Sequence, residues 1–384
     1  MDIDNEIISM SEEVKDLRRK LHRIPEPGFF EKKTTQFILN YLETNGIYCE
    51  PGVSGTGAIG YIKGNPGTRT IAFRADIDAL SMEEQTGAAY SSINKGYMHA
   101  CGHDGHTAIL LGFAKFLAHL GGKLKHNVLL IFQPAEEGPG GAEAIVDSGV
   151  LEKYKAECIF GLHIYPELEE GIIGCRPGPM MAQTGEFDIS IVGKSSHGAM
   201  PHKGHDAMIA ASNLLLSLNT IVSRNVEPTE TAVLNVGRFV CGERRNIIAE
   251  KAVLEGTMRA FNDEVYNRLK ERVVKLTGYT AEAFECKAEY EIRDMYPAVN
   301  NDEILFNKLT DIVNEKELTV LNPLTISEDF AYYQKKIPGL FFMLGSRNEN
   351  MGYVHPLHSN KFNFNEDIML LGMQLFYNLL KTCQ

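Results

Sequence analysis

The run Met98-His99-Ala100-Cys101-Gly102-His103-Asp104-Gly105-His106 sets the strongest limit on how this chain can fold. Four side chains able to bind a metal or relay protons (Cys101, His103, Asp104 and His106) fall within six residues, around two glycines. Packing alone does not explain that density, because each such group needs a partner once buried. Further candidate ligands lie far away: Glu136-Glu137 in Gln133-Pro134-Ala135-Glu136-Glu137-Gly138, His163 in Gly161-Leu162-His163, and His358 in Pro356-Leu357-His358-Ser359. For all of them to share one centre, the fold must bring the early and late parts of the chain together. So assembled, they read as a two-metal hydrolase.

At 384 residues the chain is too long for one ordinary core, and two domains are expected. A hydrophobic content of 44% with 23% charged residues is that of a soluble globular protein. No stretch approaches the ~20 apolar residues of a membrane span, and the acidic start Met1-Asp2-Ile3-Asp4-Asn5-Glu6 does not resemble a secretory leader. Seven cysteines without regular spacing argue against a disulfide framework and for a reducing compartment, the cytoplasm. A net charge of −12 disfavours nucleic acid as a partner.

Apolar spacing predicts a helix over residues 6 to 24, closed by Pro25 and Pro27, and a second from Thr34 to Asn45. Ala58 to Ile62 and Thr70 to Ala75 read as short strands. Asp104 to Leu120 reads as a buried helix starting at the ligand-rich loop. The continuous apolar run Asn127 to Phe132 suits a strand covered on both faces, and Cys158 to Leu162 another. This half is therefore α/β. Glu136, Glu137 and His163 fall just past strand ends, where open α/β sheets place their ligands. From about residue 184 the order becomes strand (Gly185 to Val192), helix (Asp206 to Ser223), two strands (Ala232 to Val240, Val253 to Arg259), helix (Asp263 to Leu276) and strand (Glu285 to Ile292). That is the ferredoxin-like order. Helix, strand and helix return at Ser327 to Lys335, Leu340 to Leu344 and Asp367 to Leu380. The expected architecture is a mixed-sheet α/β catalytic domain, 1–177 plus 293–384, with an inserted ferredoxin-like lid over 178–292.

Adjacent carboxylates beside a metal can divide the work, one binding the cation and the other holding a proton from water; a lone glutamate pair would otherwise be solvated surface. Two divalent ions ~3.5–4 Å apart would activate that water and polarise a carbonyl. Cys101 has a second reading, a nucleophile activated by histidine. Ligation is favoured because Cys101-Gly102-His103 suits one shared centre and gives His163 and His358 a use. An inert buried cysteine describes Cys158 or Cys286 better. His99 and His106 either support the ligands or simply pack, while His22, His119 and His126 read as ordinary. Gly55-Thr56-Gly57-Ala58-Ile59-Gly60 matches the dinucleotide fingerprint, but Tyr61 to Gly64 leads into Pro66-Gly67 and leaves no room for the helix it requires.

These residues carry a family resemblance. The chain resembles the M20 metallopeptidase superfamily, in the amidohydrolase branch of hippurate hydrolases, N-acetyl-diaminopimelate deacetylases and auxin-conjugate hydrolases. The matching motifs are Leu21-His22-Arg23-Ile24-Pro25-Glu26, Arg74-Ala75-Asp76-Ile77-Asp78-Ala79-Leu80, Cys101 to His106 and Pro134 to Gly138. Gly193-Lys194-Ser195-Ser196-His197-Gly198, Gly256-Thr257-Met258-Arg259 and Ser327-Glu328-Asp329-Phe330 extend them along nearly the whole chain. The resemblance implies two divalent ions held by Cys101, His103, Glu137, His163 and His358, with Glu136 as general acid/base. The metal would be manganese or zinc, with cobalt or nickel as further options. It also implies that His197 stabilises an oxyanion, often across a dimer formed through the lid, and that Asn246 and Arg259 hold a substrate carboxylate. Asp78 matches a carboxylate behind the ligands. One departure is Asn246-Ile247-Ile248-Ala249, where the family usually carries proline in place of Ala249.

The expected activity is hydrolysis of the amide bond of an N-acyl amino acid, a small-molecule substrate. Two alternatives stand beside it: a dipeptidase or carboxypeptidase of the same superfamily, and a metal-binding relative without activity.

Overall fold

Strands β3 (Thr70–Asp76) and β4 (Asn127–Gln133) are buried almost throughout, and the rest of a large sheet is laid down around them. In the computed structural model, residues 1–52, 55–65, 67 and 69–383 are described. Pro66, used above to reject the dinucleotide fingerprint, lies outside them, as does the terminal Gln384.

The sheet also contains β1 (Tyr48–Pro51), β2 (Ala58–Ile62), β5 (Ala156–Glu169), β6 (Ile173–Cys175), β11 (Leu318–Val320) and β12 (Gly339–Arg347). Its order is β1-β2-β4-β3-β5-β12-β6-β11. The β4-β3-β5-β12 centre is parallel, while β1, β2 and β6 add antiparallel pairs. Parallel strands need both faces covered, which is why Val128-Leu129-Leu130-Ile131-Phe132 is apolar without alternation. Phe73 of β3 lies 4.9 Å from Phe113 of the helix His103–Leu120, 5.5 Å from Phe160 of β5 and 5.0 Å from Phe376 of the helix Ile368–Thr382, centroid to centroid. That cluster joins early, middle and late segments of the chain in one core, each ring contributing about 1.5–3 kcal/mol by burial.

The chain divides into two units. One is Met1–Gly178 with Asn300–Asn322 and Asp329–Gln384; the other is Pro179–Val299 with Pro323–Glu328. These bounds differ from the expected 1–177 plus 293–384. Backbone bonds from Thr184 N to Tyr296 O and from Met295 N to Thr184 O carry pairing past Ile292. Likewise Ala182 N donates to Leu324 O and Leu324 N to Met180 O, which draws Pro323–Glu328 into the second unit.

The second unit holds β7 (Gln183–Val192), β8 (Ala232–Cys241), β9 (Lys251–Ala260) and β10 (Lys287–Asp294), all antiparallel in the order β10-β7-β9-β8. Burial alternates along β9, and the inward residues Ala252, Leu254 and Met258 pack with Leu214 and Leu269 of its two long helices.

Several local expectations are corrected. The first helix is broken at Met10 into Asn5–Ser9 and Ser11–His22, and the helix expected from Asp206 ends at Leu218 before a separate turn, Thr220–Asn225. Of Ser327 to Lys335 only Ala331–Gln334 is helical. No described helix is long and apolar enough to cross a membrane.

Candidate metal centre

The helix His103–Leu120 begins on Gly102, whose φ of +94° is a left-handed conformation that a side chain disfavours. One turn on, a Cβ at Gly105 would meet Phe364 at 2.6 Å and Ile164 at 2.7 Å. The two glycines let the loop turn sharply and bring the helix start against β5. His358 N donates to Ala100 O, which ties the late ligand segment to the same loop.

The first unit thereby gathers all five expected ligands. Cys101, His103 and His163 form one group, all buried; Cys101, Glu137 and His358 form a second, exposed at His358; His103, Glu136 and Glu137 form a third, with donor atoms within 4.8 Å of one another in each. Cys101 Sγ is 3.3 Å from His163 Nε2, and His358 Nε2 is 3.2 Å from Glu137 Oε1. His103 Nε2 lies 3.9 Å from both Glu136 Oε2 and Glu137 Oε1.

Tautomers follow from the partners. His103 Nδ1 faces the Asp78 carbonyl at 3.0 Å and the Asp78 carboxylate at 3.2 Å, both acceptors, so Nδ1 carries the proton. Its Nε2 is buried without a hydrogen-bond partner among the described residues and faces the cluster. His163 Nδ1 likewise donates to Ile164 O at 2.7 Å and leaves Nε2 beside Cys101. Metal-binding imidazoles are oriented in this way. Asp78 further accepts the N–H groups of Glu136 (3.1 Å) and Glu137 (3.0 Å), so one carboxylate sets both the histidine and the glutamate pair.

The electrostatics call for a cation. Burial would lower His103, but Asp76, Asp78 and Glu137 raise it to about 10. Burial and the neighbouring Glu137, Glu136 and Asp76 push the Cys101 thiol up. Bound divalent cations would neutralise that excess and keep the thiolate, and the mixture of thiolate, imidazole and carboxylate suits such ions. The orphaned His103 Nε2 and the donor set together fit a metal.

Some supporting residues escaped the sequence reading. Asp76 Oδ1 takes the His106 Nδ1 proton at 2.6 Å, and Asp76 Oδ2 pairs with Arg74 at 2.9 Å. His106 Nε2 accepts the backbone N–H of Ile164 at 2.9 Å, so His106 is neutral and supports the strand bearing His163. Asp329 binds Arg74, Gln133 and the N–H groups of Gly141 and Ala142. Arginine and aspartate together in the buried strand Thr70–Asp76 were the available signal.

His22, expected to be ordinary, lies buried between two carboxylates, with Nδ1 2.8 Å from Asp104 and Nε2 3.2 Å from Glu84. Arg18 also pairs with Asp104 at 2.9 Å. Burial would lower His22, but Asp104 and Glu84 raise it. Burial would raise Glu84, but bonds from His22 and Ser92 hold it at about 2. The lowered Glu84 stabilises the fold above its ordinary value of 4.5 and loses that contribution as pH falls toward about 2. The raised His22 contributes fully below 6.5 and loses its share as pH rises through its folded value. Urea midpoints at about pH 5 and about pH 3 should therefore drop steeply on acidification, and His22→Asn should flatten the drop. An unchanged slope in that variant would contradict the assignment.

The second unit carries His197, Asn246 and Arg259. His197 Nδ1 accepts the Ala199 N–H, and Gly198 N donates to Asn246 O, so the first two are neighbours. Arg259 lies on β9, part-buried, with Nη1 on Met258 O. Ala249, where the family has proline, is buried, and its carbonyl accepts the Ala207 N–H.

The profile of peptidase family M20/M25/M40 matches residues 72–382. The chain is 42% identical over 363 residues to the N-acetyldiaminopimelate deacetylase of Bacillus subtilis (strain 168), covering 93% of this chain and 94% of that one. It is 40% identical over 367 residues to the N-acetyl-L-cysteine deacetylase of the same strain, covering 95% and 86%. A crystal structure of a dinuclear metal binding peptidase of the M20 family from Bacillus subtilis superimposes with a TM-score of 0.85 at 33% identity, covering 97% and 98%.

Proposed function

The chain belongs to peptidase family M20/M25/M40, and from that premise we propose that it is a metal-dependent amidohydrolase releasing a free amino acid and a carboxylic acid from an N-acyl amino acid. The observation that carries this is the convergence of Cys101, His103, Glu137, His163 and His358 on one cluster, open to solvent at His358, beside Glu136. Those five residues would hold two divalent ions, zinc or manganese, which when bound supply a nucleophilic water at neutral pH and polarise the acyl carbonyl.

Glu136 takes the proton of the attacking water and delivers it to the leaving amine, the double duty of a positioned carboxylate. Asp78 keeps His103 in the tautomer that ligation needs and fixes the backbone of Glu136 and Glu137. The β10-β7-β9-β8 order of the second unit supports reading it as a ferredoxin-like lid that is also the dimer surface of a homodimer. There His197 stabilises the oxyanion, and Asn246 and Arg259 hold the substrate carboxylate, a task a guanidinium fork suits. An N-acetyl amino acid is the favoured substrate class, because the two deacetylases are 40% and 42% identical to this chain over the aligned residues. The odd number of cysteines supports the cytoplasm as its location.

Metal removal tests the proposal. Dialysis against a chelator should abolish amine release, and restoration should saturate at two divalent ions per chain. Full activity in a metal-free sample, or saturation at one ion, would contradict it.

A further inference from the structure

Buried carboxylates from three separate segments hold the loop carrying Glu136 and Glu137 by its backbone. Asp78 takes the N–H groups of Glu136 and Glu137, and Asp329 those of Gly141 and Ala142. Glu31, just before the helix Lys32–Thr44, takes that of Ala135 through Oε1 at 2.9 Å. Asp78 also serves His103, and Asp329 also serves Arg74 and Gln133, so their purpose is shared.

Ala135 needs such an anchor. Its φ of +56° is left-handed, a conformation a residue with a Cβ keeps only when its surroundings impose it. The next residue is Glu136, so a relaxed φ at Ala135 would swing the carboxylate that follows. The turn before Glu31 abuts the same loop: a Cβ at Gly28 would meet Gly138 O at 2.6 Å and Ala135 Cβ at 2.9 Å. Glu31 is itself fully buried, a costly place for a carboxyl whose other oxygen, Oε2, makes no hydrogen bond of standard geometry among the described residues.

We propose that Glu31 is a positioning residue that holds Ala135 in its left-handed turn and thereby aims the Glu136 carboxylate. This rests on the acid/base role given to Glu136 above. Burial raises the Glu31 carboxyl to about 7, against the lowering effect of its own backbone and of the Thr56 hydroxyl beside it. Both the neutral and the charged form accept the Ala135 N–H through Oε1, so a glutamine can replace it and a leucine cannot.

The test compares Glu31→Gln, Glu31→Leu and Glu136→Gln, each metal-loaded, with rates taken per folded molecule; Glu31→Met takes the place of the leucine variant if that one does not fold. Glu31→Leu should lose roughly tenfold or more in kcat with KM and metal content unchanged, since small misplacements of a reacting group are costly. Glu31→Gln should keep kcat within about threefold of the parent. A residue needed only for folding would lower the melting temperature and leave kcat per folded molecule alone. Parental kcat in Glu31→Leu, or equal losses in both Glu31 variants, would overturn the positioning role. An active Glu136→Gln would instead overturn the acid/base assignment on which it rests.

Discussion

Replacing Glu136 by glutamine should lower kcat by about 10²–10⁴-fold, the usual contribution of a general acid/base, while two divalent ions remain bound. Glutamine keeps the volume of the side chain and the backbone bond from residue 136 to Asp78, so the loop has no reason to move. What disappears is the group that accepts a proton from water and returns it to the amine. Both glutamates place an oxygen 3.9 Å from His103 Nε2, so metal analysis of two variants separates their roles. Glu137→Gln should lose metal as well as activity, because Glu137 also meets Cys101 and His358. Metal lost from Glu136→Gln would make Glu136 a ligand, and activity retained there would end its catalytic assignment.

The second large effect is on stability. Arg74 is fully buried and pairs with Asp76 and Asp329 at 2.9 Å each, with Nε donating to Gln133 at 2.8 Å. Arg74→Met fills similar space but removes the guanidinium charge that balances two interior carboxylates. Breaking a buried pair by removing one partner costs about 3–5 kcal/mol, a large part of the stability of an ordinary domain. Urea unfolding of the metal-loaded protein should show a loss of that size. A shift below about 1 kcal/mol would mean that solvent or relaxation screens the pair. Asp76 and Asp329 support His106 and the loop after Glu137, so kcat per folded molecule should fall too.

How far the sequence disclosed this centre depends on how local each signal is. Cys101, His103, Glu136, Glu137, His163 and His358 stood out as candidate ligands because ligating groups at strand ends and beside glycines have few uses in packing, and the fold brings them close together; the division of roles between the two glutamates came from the family resemblance. Strands such as Ala58–Ile62 and Asn127–Gln133 were legible because their apolar runs are bounded by glycine, proline or polar residues. Glu31, His22 and Asp329 were not. His22 and Asp329 stand in motifs of the family resemblance and Glu31 outside them, but each finds its partner far along the chain: Glu31 at Ala135, His22 at Asp104, Asp329 at Gly141. Nothing in a helix- or strand-like pattern announces that a carboxylate will be buried to hold a backbone amide. Ser327 to Lys335 failed as one helix for a related reason. The Asp329 side chain is spent on remote donors, and Ala182 N bonds to the Ile326 carbonyl. His106 stood undecided between support and packing until its two partners, Asp76 and the Ile164 N–H, fixed it as a support.

The most direct measurement is amine release by the protein reconstituted with two equivalents of zinc or manganese, read as kcat/KM. The substrates would be N-acetyl-diaminopimelate, N-acetyl-cysteine, hippurate and dipeptides ending in the same amino acids. The expected result is hydrolysis of the N-acyl amino acids, one of them strongly preferred, with the dipeptides far behind. Cleavage of dipeptides alone, or none of any substrate with both metals bound, would contradict the amidohydrolase reading.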